Sequence, residues 1–491
     1  MKHAHLAQNR AEWACVAFAV IVAHAFLVHE WLYPSAWDAT SYFDIAKDIA
    51  DRGLLRKFHG SDFRTYGYPF VLSIVLRAAA LAGVSFVLLL FELQFLAYCG
   101  AAFLLRRALA PVSARAARIT FCALLVDYYA LIYTPESLTE SLSLTLLIVA
   151  TAAWVTLWRA GLAVWPVIAG SAAVGFAFMV RPANAFMVAV WVFGFLWLVL
   201  RDRPRPARAA LLLVLLVTAM ALPIAPQVRT NAMYYGKLSP MVSVDLGQLQ
   251  QSLGAQNLKY ATALPPVSRA PVYYNNPFYE GTTIDEASPW SWYVLYPLRA
   301  AATLALHTFN LTDQDLLFTY SRDLTPWYRV PLGIVNHAVV ALGLAGLVML
   351  GRRVRAEKDP RSREPYVMLV VLIVANWAVY AWTAVEMRFG SVLLLILFPL
   401  AAYAALRVAA MRSIRGIGLA AAAVATYVAL ALLLSAWVRD QSELIREDRM
   451  SRAEPIQARV AGAGCCAPAT ATAGGEAAPG ASHSQRPGFA G

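Results

Sequence analysis

The chain has 491 residues, of which 60% are hydrophobic and only 14% charged. So few charges cannot cover a water-soluble globule of this length, which excludes a string of soluble domains and places the chain in a bilayer. The net charge of +12, from 41 Lys and Arg against 29 Asp and Glu, then bears on topology before it bears on any anionic partner, and no nucleic-acid binding is expected.

Crossing a hydrocarbon core of about 30 Å takes roughly 20 apolar residues in helix. Runs of that kind lie near 12–33, 86–105, 116–133, 137–158, 162–180, 183–200, 208–228, 328–351, 366–385, 389–406 and 417–438, which predicts eleven transmembrane helices. The first is read as a span and not a cleaved leader, because its apolar stretch is long and no small-residue cleavage site follows. Two further stretches, 67–82 and 289–309, are shorter or carry Arg77, Pro297, Arg299 and His307. If neither spans, Arg106, Arg107, Arg115, Arg118, Arg159, Arg201, Arg203, Arg205, Arg208, Arg352, Arg353, Arg355 and Arg407 all fall in short loops on one side. The short loops opposite then keep only Arg181 and Arg388, the pattern expected of inner and outer faces. Both stretches are therefore expected to be juxtamembrane helices at the outer interface, within long outer loops 34–85 and 229–327. The N-terminus is expected inside, and 1–438 is expected to form one polytopic membrane domain. Residues 439–491 open charged and become Ala/Gly/Pro-rich, as a disordered tail would.

In the first outer loop, Tyr42, Ile45 and Ile49 recur at helical spacing while Asp44, Asp48 and Asp51 share the other face, so an amphipathic helix should end near Gly53. Asp38 stands just before it, either as an N-cap or as a carboxylate at the mouth of a cavity, available as a general base. Tyr66 and Tyr68 flank Gly67 ahead of Pro69, as interfacial aromatics or as the lining of a sugar or lipid-phosphate pocket. Further on, Asp127, Glu136 and Glu140 cluster around the turn at 134–136. Ionisable groups at membrane depth usually face a bundle interior or a water-filled cavity, although Glu136 could simply complement a helix dipole. Arg181, Arg229 and Arg388 answer them from the same face. Arginine suits paired hydrogen bonding to phosphate, and snorkelling to headgroups is its alternative role. Cys15, Cys99, Cys122, Cys465 and Cys466 show no zinc-type spacing, and His3 and His5 suit a solvated terminus.

These residues resemble the GT-C superfamily of polyprenyl-phosphate-sugar-dependent glycosyltransferases, with protein O-mannosyltransferases and lipid A aminoarabinose transferases as relatives. The resemblance rests on Asp38-x3-Tyr42-x3-Ala46, Tyr66-Gly67-Tyr68-Pro69 and Thr139-Glu140-Ser141-Leu142. Arg181-Pro182, Arg229-Thr230-Asn231 with Gly236, and Arg388-Phe389 complete it, in order over roughly residues 12–410. Many members carry two adjacent acidic residues in the first loop, whereas Trp37 and Ala39 flank a single Asp38 here. The late helices and the tail match nothing of the family.

The resemblance implies an all-α, GT-C-like fold in the bacterial inner (plasma) membrane with its cavity open to the periplasm. Asp38 would be the catalytic base. Tyr66, Tyr68, Glu136, Glu140, Arg181, Arg229 and Arg388 would bind substrate, with Tyr273, Tyr274, Trp290 and Trp292 of the second loop supplying acceptor contacts. The implied partners are a polyprenyl-phosphate-sugar donor, a glycan, lipid or protein acceptor, and membrane lipids. No cofactor is expected, although the carboxylates could in principle hold a divalent metal. Two rival readings are an O-antigen polymerase or ligase and a lipid-linked-sugar flippase. The acidic first loop argues against the former. Against the latter stand the lack of an internal repeat and of midplane charges.

Overall fold

The computed structural model describes residues 2–32, 38–57, 64–241, 245–261, 272–282, 284, 288–314, 328–357, 360–383 and 385–443. They belong to one compact unit within Met1–Leu444. The expected tail beyond Glu443, with Cys465 and Cys466, lies outside the described residues, as does Trp37.

Apolar composition makes the chain helical almost throughout. Helix α1 (Lys2–Leu32) is followed by the amphipathic α2 (Asp38–Arg52), whose Tyr42, Ile45, Ala46 and Ile49 are buried while Asp44 and Asp51 are exposed. Helix α3 (Gly67–Ala82) packs along α2, and α4 (Phe86–Leu109) follows. Next come α5 (Ala114–Leu125), α6 (Tyr128–Ile132), α7 (Thr139–Ala160), α8 (Val164–Val180), α9 (Ala185–Asp202), α10 (Pro206–Ala221) and α11 (Ala225–Tyr235). The second long loop holds α12 (Asp245–Gln256), α13 (Trp290–Leu295) and α14 (Pro297–Asn310), before α15 (Arg329–Ala356), α16 (Glu364–Tyr380), α17 (Ser391–Ala409) and α18 (Ile414–Asp440).

Among the described residues seven helices are long and apolar enough to cross a membrane, or eight if the bent pair α10 and α11 counts as one span. Every predicted span corresponds to helix, yet three fall short of a full crossing: α8 and α16 have 17 residues and α5 only 12. Two predicted spans are not continuous. The run 116–133 breaks at Val126, and Asp127 caps α6 by accepting from the backbone N–H of Tyr129 (3.1 Å) and Ala130 (3.3 Å). Of the two settings expected for Asp127, the bundle interior holds and the cavity does not: it is buried, outside the cavity lining, and its carboxylate caps a helix start. The run 208–228 bends by 56° between α10 and α11, where Pro223 and Pro226 withhold backbone donors.

A small antiparallel sheet adds to the helical expectation: β1 (Asn257–Ala261), β2 (Val272–Asn275) and β3 (Ser442–Glu443), in that order. Tyr260 pairs with Tyr273 and Lys259 with Tyr274, so the aromatic residues of this loop suit strands. Buried polar contacts tie β1 down. Lys259 Nζ donates to the Asp313 carbonyl (2.7 Å) and carboxylate (3.0 Å), His337 Nε2 lies 3.2 Å from that carboxylate, and Ser435 donates to it. The ring nitrogens of His307 lie 2.7 and 3.0 Å from the carbonyls of Ala381 and Asn257. The second loop is thus fastened to α15, α16 and α18.

The largest apolar core runs through α1, α4, α5, α7, α8 and α9 and reaches α16 and α17. Antiparallel neighbours place the start of α7, the end of α8 and the turn between α16 and α17 at one end of the bundle. At the other end lie the arginine-bearing helix termini, where Arg106 pairs with Glu12 (3.0 Å) and Arg201 with Glu364 (2.7 Å).

Candidate active site

The chemistry-bearing residues come from segments far apart in sequence, each held by local structure. Asp38 opens α2, and Arg64 and Thr65 precede α3. Gly67 lets that start press against the end of α8: a Cβ there would lie 2.4 Å from the Met179 backbone carbonyl. Thr139 and Glu140 form the first turn of α7. Arg181 ends α8 and is followed by a 3-10 turn, Pro182–Asn184, which Asn184 fastens to Ser143 (2.8 Å) and to the Ala177 carbonyl (2.9 Å). Another 3-10 turn, Met387–Gly390, aims Arg388 inward, and a Cβ on Gly390 would sit 1.5 Å from the Leu311 carbonyl oxygen. Tyr260 of β1 reaches this turn through its N–H bond to the Val385 carbonyl (2.8 Å).

Together these elements enclose a cavity of about 430 Å³. Its charged wall carries Asp38, Arg64, Arg181, Glu386 and Arg388, and its other wall is built by Tyr42, Thr139, Gln250, Leu253, Tyr260 and Tyr273. The Tyr260 and Tyr273 rings are 4.8 Å apart. A second, almost wholly apolar cavity of about 380 Å³ lies within the bundle, lined by Leu147, Trp154, Val174, Leu372 and Leu395 among others.

Asp38 is held at both oxygens: Arg64 donates to Oδ1, and Arg388 donates to Oδ2 at 2.6 Å. Arg64 also donates to the Tyr42 hydroxyl (2.8 Å). Arg181 pairs with the fully buried Glu140 carboxylate at 2.7 Å, its guanidinium lying 4.8 Å from the Phe389 ring centre. Arg388 reaches all three carboxylates, Asp38, Glu140 (3.5 Å) and Glu386 (2.8 Å). With every group ionised, three guanidinium groups balance three carboxylates.

Burial alone would raise the Asp38 pKa, but Arg388 and Arg64 outweigh it and hold the carboxyl far below the usual range. Glu386 goes the other way. Its burial, helped by the nearby Asp38 charge, pushes it above the ordinary glutamate value despite Arg388.

Of the residues singled out in the sequence, Asp38, Arg181 and Arg388 line the cavity and Glu140 backs them through Arg181 and Arg388. The others lie elsewhere. Tyr66 and Tyr68 are buried, at 4% and 0% exposure, and lie outside the cavity lining. Tyr66 donates its hydroxyl to the Pro223 carbonyl, and Tyr68 packs edge-on against Tyr42 with its hydroxyl 3.4 Å from the Glu136 carbonyl. Tyr66, just before α3, and Tyr68, in its first turn, pack into two different apolar clusters between α3 and its neighbours. Glu136 is buried behind Tyr68, outside the cavity lining. Arg229 is exposed on α11, on the face opposite the buried Gln227, Thr230 and Asn231, and lies outside the cavity lining. In the second loop Tyr273 lines the cavity, whereas Tyr274 and Trp292 are core and Trp290 is exposed.

Arg64, Tyr42, Glu386 and Tyr260 were not singled out as site residues. Arg64 and Glu386 each stand two residues from one that was, Tyr66 and Arg388, and that adjacency was the available signal. Among the described residues, no group of three or more His, Cys, Asp or Glu side chains is placed to hold a metal ion.

No family model matches the chain, and no curated protein matches it. Among solved structures it is similar to the archaeal oligosaccharyltransferase AglB from Archaeoglobus fulgidus, determined in complex with an inhibitory peptide and a dolichol-phosphate. The two are 13% identical with a TM-score of 0.48, over 87% of this chain and 56% of that one, so the chain spans little more than half of that structure's length.

Proposed function

We propose that the protein is an integral-membrane inverting glycosyltransferase that moves a sugar from a polyprenyl-phosphate carrier to an acceptor hydroxyl at the extracytoplasmic face. One observation carries the reading. Asp38, Glu140, Arg181 and Arg388, drawn from separate motifs of the GT-C resemblance, meet at one cavity at the end of the bundle opposite the arginine-rich helix termini.

The donor's phosphate is recognised by guanidinium groups, whose planar forks match its oxygens. The acceptor oxygen attacks the anomeric carbon from the face opposite the phosphate, forming the new C–O bond as the old one breaks. The Asp38 carboxylate takes the acceptor's hydroxyl proton. The departing electron pair goes to the phosphate oxygen, where the arginines stabilise the added negative charge. Glu140 keeps Arg181 and Arg388 in place, and the rings of Tyr260 and Tyr273, inclined to one another, offer apolar faces on which a sugar ring can pack. The reading calls for no cofactor. Activity that survives a chelator supports this, and activity that a chelator abolishes and a divalent cation restores would place a metal on the carboxylates instead.

The central test is sugar transfer from a defined polyprenyl-phosphate-sugar by purified Asp38→Asn protein. Transfer should disappear while the protein stays monodisperse; near-native transfer would remove Asp38 from the base role. Mass analysis of surface glycans from cells with and without the protein would identify the sugar and the acceptor class.

A further inference from the structure

The residues suited to hold the donor phosphate already hold the base. Both oxygens of Asp38 are taken by guanidinium groups, Oδ1 by Arg64 and Oδ2 by Arg388, in a fork that presents the donor geometry a phosphodiester's two free oxygens require. Arg181 is committed to the buried Glu140 carboxylate, its guanidinium packed over Phe389, so its pairing belongs to the framework of the site. Arg388, anchored from behind by Glu386 and Glu140, meets Arg64 across Asp38, a side chain 18% exposed on the cavity wall. A carboxylate and a phosphodiester each carry one negative charge, so exchanging one for the other leaves the net charge around the arginine pair unchanged.

We propose that the donor phosphodiester and the Asp38 carboxylate are alternative ligands of the Arg64–Arg388 pair, so that donor binding itself releases Asp38 to act as the base. The inference rests on the glycosyltransferase reading and adds Arg64 to the phosphate site. It also resolves a difficulty in that reading. A carboxylate clasped by two guanidinium groups is ionised but a poor proton acceptor, whereas an efficient general base has a pKa closer to the working pH. Once the phosphate takes the two cations, Asp38 remains in a largely buried cavity without them and its proton affinity rises. The site then becomes basic only when a donor is bound, and an acceptor or water entering alone meets an inactive carboxylate. After transfer, Asp38 carries the acceptor's proton and the phosphate carries the leaving electron pair. Loss of the proton to water returns the carboxylate to the arginines, where it competes with the product phosphate and favours its departure.

The test measures binding of didodecyl phosphate, a lipid-soluble phosphodiester of fixed single charge, to the purified full chain. Competition predicts that Asp38→Asn binds this probe at least tenfold more tightly than the native protein while losing transfer, and that Arg64→Gln binds it at least tenfold more weakly. Equal or weaker binding by Asp38→Asn would overturn the competition. Should Asn at position 38 prevent folding, Asp38→Ser removes the same charge with less bulk. The native protein supplies an independent measurement through carbodiimide labelling, which requires a protonated carboxyl. Labelling at Asp38, located by mass spectrometry, should accelerate when the probe is added; protection or no change would refute release. Native protein that transfers sugar and binds the probe without tightening in Asp38→Asn would sink this inference alone. Native protein that neither binds the probe nor transfers sugar would sink the functional reading beneath it.

Discussion

Arg388→Gln separates the structural work of this residue from its chemical work. Arg388 is 7% exposed and touches three carboxylates. Two of them keep a cation after the substitution, Asp38 through Arg64 and Glu140 through Arg181. The loss therefore falls on Glu386. Removing one member of a buried ion pair costs about 3–5 kcal/mol, because the remaining charge stays buried. Glu386 has an escape, which is to take up a proton at about 1.4 kcal/mol for each pH unit above its pKa. Burial has already raised that pKa, so protonation near neutrality is cheaper than for an ordinary glutamate and the loss should sit at the lower end, about 3 kcal/mol.

The sign of the pH dependence follows. A carboxyl whose folded pKa is raised contributes its stability below its unfolded pKa and loses it as pH rises through the folded value. Arg388→Gln raises the folded pKa of Glu386 further, so the deficit should be small near pH 5 and grow toward pH 7.5. Apparent melting temperatures of the detergent-purified native protein, Arg388→Gln, Glu386→Gln and the double variant would measure it. The double variant should recover most of the lost stability at pH 7.5 and none of the transfer activity. A deficit that does not change with pH, or that Glu386→Gln fails to relieve, would refute the assignment of the cost to Glu386.

Gly390→Ala places a Cβ 1.5 Å from the Leu311 carbonyl, a backbone clash that should abolish folded protein or lower its melting temperature sharply; a normal melt would show that the turn can shift. Lys259→Met leaves Asp313 buried without its lysine, with an expected loss of about 3–5 kcal/mol, and limited proteolysis should cut the 229–327 loop faster than in the native protein. Unchanged proteolysis would mean that other contacts fasten β1. Arg229→Ala should leave donor binding unchanged because the side chain is exposed outside the cavity lining, and weakened binding would bring α11 into the site. A reporter fused after Arg439 should appear outside the cytoplasm if eleven helices cross; a cytoplasmic signal would demand an even number.

Hydropathy and charge are local properties, and what depends on them was legible in the sequence. The positions of the apolar helices, the amphipathic face of α2 and the segregation of arginines to one set of helix ends all follow from residues close together in the chain. The breaks within 116–133 and 208–228 were less visible. A capping Asp127 or a Pro223 marks a break in the backbone, but one such residue among some twenty leaves the window predominantly apolar. Motif order pointed to Asp38, Glu140, Arg181 and Arg388 but left open which groups would meet. Asp38 and Arg388 are 350 positions apart, and their contact exists because α2 and the turn before α17 reach the same end of the bundle. Only that packing decided that Tyr66 and Tyr68 are core, that Arg229 turns away, and that Arg64 and Glu386 enter the site. The sequence by itself determined which residues could carry charge at membrane depth. The tertiary structure decided how those charges pair, because in a low-dielectric cavity a carboxylate's chemistry is set by the cation beside it and not by its neighbours in the chain.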